Sequence, residues 1–270
     1  MRLKFNFHYE KSLTIPLYYN YPLQGMLYHF LSSKLSQKIH DEGFRFGKRV
    51  FKMFVFSRIF GKIKISSEKD RKKGKKLLTI YPPDFYFFVS SAYEDFLQDL
   101  VLQFLKKGKG ENLRLSKTDV FLEKIEVIPF PLKDVGERES LEVIVKTLSP
   151  ITVHRTFSDK KGDRKEKIHY YSPFEEEFTK LIRDNLDRKW KAFYKEELPQ
   201  DEINSFLIKP VRVNKKRGLK VVNYKGYWVK GWMGEFYLKG SRRIIEFAWD
   251  VGLGARNSQG FGMFDIESVI

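Results

Sequence analysis

The order of hydrophobic periodicities predicts an α+β protein made of two tandem ferredoxin-like (RRM-like) β-α-β-β-α-β domains. Three observations carry this. Residues 1–130 pass from period-two alternation to a 3.6-residue stripe and back, in the order strand, helix, strand, strand, helix, strand. Pro129, Pro131 and Gly136 then punctuate a linker. From residue 137 a similar order begins again and runs to residue 270, a repeat of topology without a repeat of sequence. The chain therefore divides into 1–130 and 137–270, each half long enough to bury a core.

In the first half, Leu3, Phe5, Phe7 and Tyr9 alternate and mark a half-buried strand. Pro16 and Pro22 punctuate a loop. From Leu23, apolar residues recur at Met26, Leu27, Phe30, Leu31, Leu35 and Ile39, which predicts one amphipathic helix. A polar, glycine-containing loop spans 41–48, and 51–60 returns to strand character. Two more strands are expected at 77–81 and 85–89, after a basic hairpin at 68–76. Phe96, Leu97, Leu100, Val101, Phe104 and Leu105 give the second helix, 92–106, and 119–128 closes the unit as a strand.

The second half starts with a strand at 140–146. Residues 151–155 are expected to pair with 167–171 across the charged tip 159–166. A long charged helix, 174–194, begins behind Pro173, where a proline is tolerated. Strands at 205–213 and 227–238 precede a short helix at 241–251. A glycine-rich loop and a final strand, 261–269, follow.

Composition narrows the function. Lys and Arg number 51 against 34 Asp and Glu, a formal charge of +17 that calls for a polyanionic partner or an acidic surface. Aromatic residues make up 16% of the chain, which suits base stacking, although buried sheet faces use the same residues. Cysteine is absent, which excludes disulfides, thiolate zinc sites and cysteine nucleophiles. The five histidines, His8, His29, His40, His154 and His169, lack metal-ligand spacing, and the acids interleave with lysines. A two-metal nuclease is thus disfavoured, and neither metal nor cofactor is expected. No stretch approaches the ~20 apolar residues that span a bilayer, and no signal peptide is evident, so a cytoplasmic protein without membrane contact is expected.

The most informative segment is Gly252-Leu-Gly-Ala-Arg-Asn-Ser-Gln-Gly-Phe-Gly262, with the strand-like run behind it. Such glycines let a backbone approach another backbone or a phosphate. A Walker loop would end in Gly-Lys-Ser/Thr, and a dinucleotide fold would need a helix and second strand after the glycines; neither is present. With Leu23-Gln-Gly-Met-Leu-Tyr28 and Thr147-Leu-Ser-Pro-Ile-Thr-Val153 in the same order, the pattern resembles the Cas6 family, endoribonucleases that cut CRISPR precursor RNA within its repeats. The resemblance covers essentially the whole chain, apart from the lysine-rich loops. It implies the same tandem ferredoxin-like architecture. It also implies CRISPR repeat RNA, within precursor CRISPR RNA, as the partner; attachment to other CRISPR effector subunits and homodimerisation stay open.

Without metal or cysteine, RNA can be cut by its own 2′-hydroxyl, which attacks the adjacent phosphorus and leaves a 2′,3′-cyclic phosphate and a 5′-hydroxyl. The reaction needs a base, an acid and a cation, roles open to His, Tyr and Lys. The resemblance implies such a trio in Tyr28, His40 and Lys52: His40 as base, Tyr28 as acid or orienting donor, Lys52 as the cation facing the phosphorane. Each has a plainer alternative. Tyr28 flanks an apolar stripe, His40 ends a helix where the dipole favours it, and Lys48 or Arg49 could stand in for Lys52. A catalytically silent RNA-binding relative of the same fold is the rival reading. A general RRM-like binder would need an RNP1 motif, which Gly260-Phe-Gly-Met-Phe264 only partly matches, and in the wrong element.

The candidate RNA-binding residues are Arg256, Asn257 and Gln259 in the glycine loop, and Lys209, Arg212, Lys215 and Arg217 in a basic segment. His154 and Arg155 are added because they follow Ser-Pro-Ile-Thr-Val, a position where the resemblance implies RNA contact. For the glycine loop the competing role is close packing between the halves. For the lysine clusters at 68–76 and 160–167 it is a solvated hairpin tip.

Overall fold

The structure is a computed structural model that describes residues 1–65, 76–108, 113–115, 118–157 and 167–270. The expected tip at 159–166 and nearly all of the basic hairpin at 68–76 lie outside the described residues.

The first half contains β1 (Arg2–His8), β2 (Leu13–Pro16), α1 (Asn20–His29), α2 (Ser33–Gln37), β3 (Phe44–Phe46), β4 (Arg49–Phe51), β5 (Phe54–Phe56), β6 (Phe60–Ile65), β7 (Leu77–Ser91), α3 (Glu94–Gly108), β8 (Leu113–Leu115) and β9 (Thr118–Ile128). β1 is central, antiparallel to β7 on one side and β9 on the other, and β5 and β6 add to β7. This is the ferredoxin-like strand order. Leu3, Phe5 and Phe7 project from one face of β1 into the core, and Phe104 of α3 meets Phe5 at 4.8 Å and Phe30 at 3.9 Å between ring centroids. Full burial of a side chain of this kind is worth about 1.5–3 kcal/mol, so period-two patterning decides which face turns inward.

The helix expected from Leu23 to Ile39 is broken. α1 ends at His29, α2 is a separate short helix, and 38–42 form a wide π-type turn. Phe30 and Leu31, in the segment between the two helices, are both buried in the core. Asp99 of α3 accepts a hydrogen bond from the freed Ser32 N–H at 2.7 Å. Two other expectations are revised. The strand expected over 51–60 is interrupted at Met53, whose φ is +55°, and the two strands expected at 77–81 and 85–89 are one, β7.

The second half contains β10 (Ser140–Thr147), β11 (His154–Phe157), β12 (Lys167–Tyr170), α4 (Glu177–Tyr194), α5 (Gln200–Ser205), β13 (Leu207–Arg212), β14 (Leu219–Tyr224), β15 (Tyr227–Trp232), β16 (Glu235–Ser241), α6 (Arg242–Val251) and β17 (Phe264–Val269). The sheet order β13-β16-β10-β17 repeats the strand arrangement of the first sheet. α4 and α6 bury Phe178, Ile182, Leu186 and Trp190 together with Ile244, Ile245, Ala248 and Trp249 in the core of this half. The strand expected over 227–238 is two. The chain turns at Gly234, where a Cβ would lie 2.6 Å from the Arg212 carbonyl oxygen, so the hairpin β14–β15 stands apart from the sheet.

The halves are joined through the start of β1. Arg2 is fully buried; its guanidinium donates to Asp265 at 3.1 Å and to the Phe264 carbonyl at 2.7 Å, and it lies 3.7 Å from the centre of the Trp249 ring. A buried cation is tolerated because it is both paired and hydrogen-bonded.

Candidate active site and nucleic-acid interface

Asn20, Gln24 and Tyr28 recur every fourth residue along α1 and therefore share one edge of it. That edge faces the glycine loop. Asn20 donates to the Gln259 carbonyl at 2.9 Å and Gln24 to the Ser258 carbonyl at 2.6 Å, while the Tyr224 hydroxyl donates to Gln24. The loop is tied to the second half as well, through Ala255 N–H to Thr152 O and Gly262 N–H to Pro150 O, each 2.9 Å. The glycines serve this double anchorage. A Cβ on Gly262 would sit 2.0 Å from the Leu253 carbonyl oxygen, and one on Gly260 would strike the Phe56 ring at 2.5 Å.

Beyond the loop, the last turn of α1 carries Tyr28 against His40, with ring centroids 5.7 Å apart and the rings at 81°. His40 is exposed on the wide turn, and its Nδ1 lies 2.7 Å from Asp41 Oδ1. Lys52, between β4 and β5, donates to the carbonyls of Ile39 at 2.6 Å and His40 at 2.5 Å. Burial raises the Tyr28 phenol above its ordinary range, and burial lowers the Lys52 ammonium, with Asp41 opposing. The three residues separated by 24 positions of sequence thus form one cluster.

Lys52 also lines a cavity of about 350 Å³ between the halves, together with Arg49, Asn185, Lys189, Arg256, Ser258 and Gln259. A second cavity, about 400 Å³, shares Arg49, Asn185, Gly254 and Ala255 with the first and continues along His154, Arg155 and Arg188. No Asp or Glu is among the described residues lining either one, so both favour an anion. Arg256, at φ +60°, donates to Gln259 Oε1 at 3.1 Å. His154 is pushed down to about 4, first by burial and then by Arg256 and Arg49, so its imidazole is neutral at ordinary pH.

The basic segment behaves differently. Lys209, Arg212, Lys215 and Arg217 line neither cavity. Arg212 is paired with Glu235, and Lys215 lies 5.1 Å from the centre of the Phe174 ring. Asn257 is turned inward: its amide donates to the Leu253 carbonyl at 3.1 Å and the Phe261 carbonyl at 2.9 Å, closing the loop on itself.

Several residues of the site went unnoticed in the sequence. Asp41 carried no signal beyond adjacency to a histidine. Asn185 and Lys189 did carry one: they are polar residues four apart inside the apolar stripe of α4, which also contains Ile182, Leu186 and Trp190. Lys189 is buried and donates to the carbonyls of Gly252 at 2.7 Å and Gly254 at 3.1 Å; with no ion-pair partner among the described residues, burial pushes it down to about 7. Among the described residues, no three His, Cys, Asp or Glu side chains are grouped so as to hold a metal ion. No helix among them is long and apolar enough to cross a membrane.

Residues 14–126 match the family of the CRISPR-associated protein Cas6, N-terminal, and residues 131–266 that of the CRISPR-associated protein Cas6, C-terminal. The chain belongs to the Cas6 family. The CRISPR-associated endoribonuclease Cas6 1 of Methanocaldococcus jannaschii is 26% identical over 269 residues, spanning 97% of this chain and 91% of its own. The CRISPR-associated endoribonuclease Cas6 of Pyrococcus furiosus is 26% identical over 262 residues, 96% of this chain and 86% of its own. The fold is shared with a solved Cas6-related protein of Pyrococcus furiosus at a TM-score of 0.77 and 20% identity, covering 98% of both chains. The double anchorage of the glycine loop therefore belongs to a Cas6 chain in which the two halves match separate family descriptions.

Proposed function

We propose that this Cas6 family member is a metal-independent endoribonuclease that binds CRISPR repeat RNA and cuts precursor CRISPR RNA into guide units. In this reading residues 1–130 form the domain that cuts and 137–270 the domain that completes the RNA cleft. The observation that carries it is the cluster of Tyr28, His40 and Lys52 at the edge of a cation-lined cavity. The names of the Methanocaldococcus and Pyrococcus relatives, both endoribonucleases, support it.

The chemistry follows from the contacts. With Nδ1–H donated to Asp41, His40 keeps Nε2 as a free acceptor for the proton of the ribose 2′-hydroxyl. The 2′-oxygen then bonds to phosphorus as the bond to the 5′-oxygen breaks. Lys52, held by two carbonyls, directs its remaining N–H at the phosphorane oxygens. Tyr28 stays a phenol at every working pH, since burial raises it, and it supplies a proton to the departing 5′-oxygen. An alkoxide is a stronger base than even a buried phenolate, so this transfer runs downhill.

The test is a repeat RNA from the same genome, incubated in EDTA. Full cutting to a 5′-hydroxyl and a 2′,3′-cyclic phosphate is expected, and a single 2′-deoxy substitution just upstream of the cut should stop cutting without stopping binding. A need for magnesium, or equal cutting of the deoxy substrate, overturns the mechanism. RNA that is bound and left intact identifies the silent relative instead.

A further inference from the structure

Three of the buried polar atoms that lack a hydrogen-bond partner among the described residues belong to the walls of the two joined cavities: Asn185 Oδ1, Arg256 Nε and His154 Nδ1. A buried polar group without a partner costs free energy, so a concentration of them in one place points to a ligand that supplies the partners. Their chemistry is mixed. Arg256 Nε, like the exposed Arg49 shared by both cavities, offers a proton and suits a phosphate oxygen. Asn185 Oδ1 accepts, and a phosphodiester has no proton to give it. Asn185 is 8% exposed and lies where the cavities meet.

A ligand that satisfies both needs carries a phosphate and, close to it, an O–H or N–H donor. A ribonucleotide unit does so, through its 2′-hydroxyl or through a base amino or imino group. We propose that the joined cavities form a nucleotide-reading subsite, in which Arg49 and Arg256 hold one phosphate and the Asn185 amide oxygen accepts a hydrogen bond from the sugar or base of that nucleotide. This rests on the reading of the chain as an RNA-binding protein. Asn185 is then a specificity-determining residue, and the nucleotide it reads lies near the one being cut, because Lys52 borders the same cavity. The remaining cations around the subsite, Lys189, Arg155 and Arg188, have other fixed roles or sit further along: Lys189 holds two loop carbonyls and Arg188 lies 3.9 Å from Asp184.

The experiment measures the affinity of the full chain, in a His40→Ala background, for repeat RNAs that each carry one 2′-deoxy or one donor-deleted base. One position is expected at which deletion weakens binding about tenfold, the usual consequence of leaving a buried acceptor unpaired. The 2′-deoxy series and the base series distinguish sugar from base as the donor. In Asn185→Leu that position should lose its sensitivity, while Asn185→Asp, which keeps the acceptor, should retain it. Arg49→Ala should weaken every RNA alike and reduce the log–log salt slope by about 0.7. An unchanged positional profile in a folded Asn185→Leu overturns the proposal and leaves the cavities as water-filled gaps. Should Asn185→Leu fail to fold, wild-type affinity and salt slope in Arg49→Ala overturn it equally. A chain that binds no repeat RNA overturns the RNA-binding reading as well, whereas tight binding indifferent to positions 49 and 185 removes this subsite alone.

Discussion

The His40 ring is held by the carboxylate of its neighbour Asp41. Asp41 at 2.7 Å holds Nδ1, which under the proposed mechanism leaves Nε2 for the substrate. His40→Ala is expected to slow cutting roughly 10²–10⁴-fold with repeat binding retained, measured by single-turnover gels. Asp41→Asn should slow it less, because the imidazole remains but its orientation is loosened. Tyr28→Phe should also be milder, since it removes a donor and keeps the ring that packs on Phe54. Wild-type rates in all of these variants, and in Lys52→Ala, would show that the cluster does not cut RNA. Tyr28, His40 and Lys52 were named from the sequence through a family resemblance, and the structure brings them near one another. The pairing of Asp41 with His40, and the meeting of Arg49 with Asn185, were not legible, because proximity across a turn or a cleft has no sequence periodicity; Asn185 showed only as a polar residue in the apolar stripe of α4.

At the scale of elements, α4 couples to the glycine loop through Lys189, which holds the loop's first carbonyls from inside the core. Its folded pKa of about 7 lies below the ordinary 10.5, so between these values the unfolded chain binds the extra proton. Stability contributed through this group therefore rises as pH increases from about 7 to 10.5, and falls as pH is lowered through that window. Denaturant midpoints taken at pH 7 and pH 9 should show this rise in the wild type and a smaller one in Lys189→Met. Equal slopes would mean that Lys189 stays charged when folded. The elements themselves were largely legible: both long helices, the central strands β1 and β10, and the closing strands β9 and β17 follow from hydrophobic period. The break between α1 and α2 was not, since the apolar spacing from Leu23 to Ile39 fits one helix. The turn that carries His40 to Tyr28 is held by a contact across the fold, Ser32 N–H to Asp99.

For the molecule as a whole, a charge of +17 implies RNA binding that weakens steeply with salt, with a slope of about −0.7 per neutralised phosphate of a single strand. The position of each cation decides which ones contribute. Arg256→Ala, on the cleft wall, should weaken repeat binding and flatten the slope. Arg212→Ala, whose guanidinium pairs with Glu235 away from both cavities, should change neither by much. Equal effects at both positions in filter-binding titrations would place the RNA across the β13 edge as well as in the cleft.

Period and punctuation alone determined that this chain folds as two β-α-β-β-α-β units, because a two-residue repeat can bury one face only as a strand and a 3.6-residue repeat only as a helix. Composition determined the sign of the partner. The tertiary structure decided where the two units meet, which cations point into the gap, and which glycines are there for packing. Those outcomes depend on contacts such as Arg2 to Asp265 or Asn20 to the Gln259 carbonyl, between residues more than two hundred positions apart. No local pattern encodes such a pairing; it exists only once both cores have formed and their surfaces are brought together.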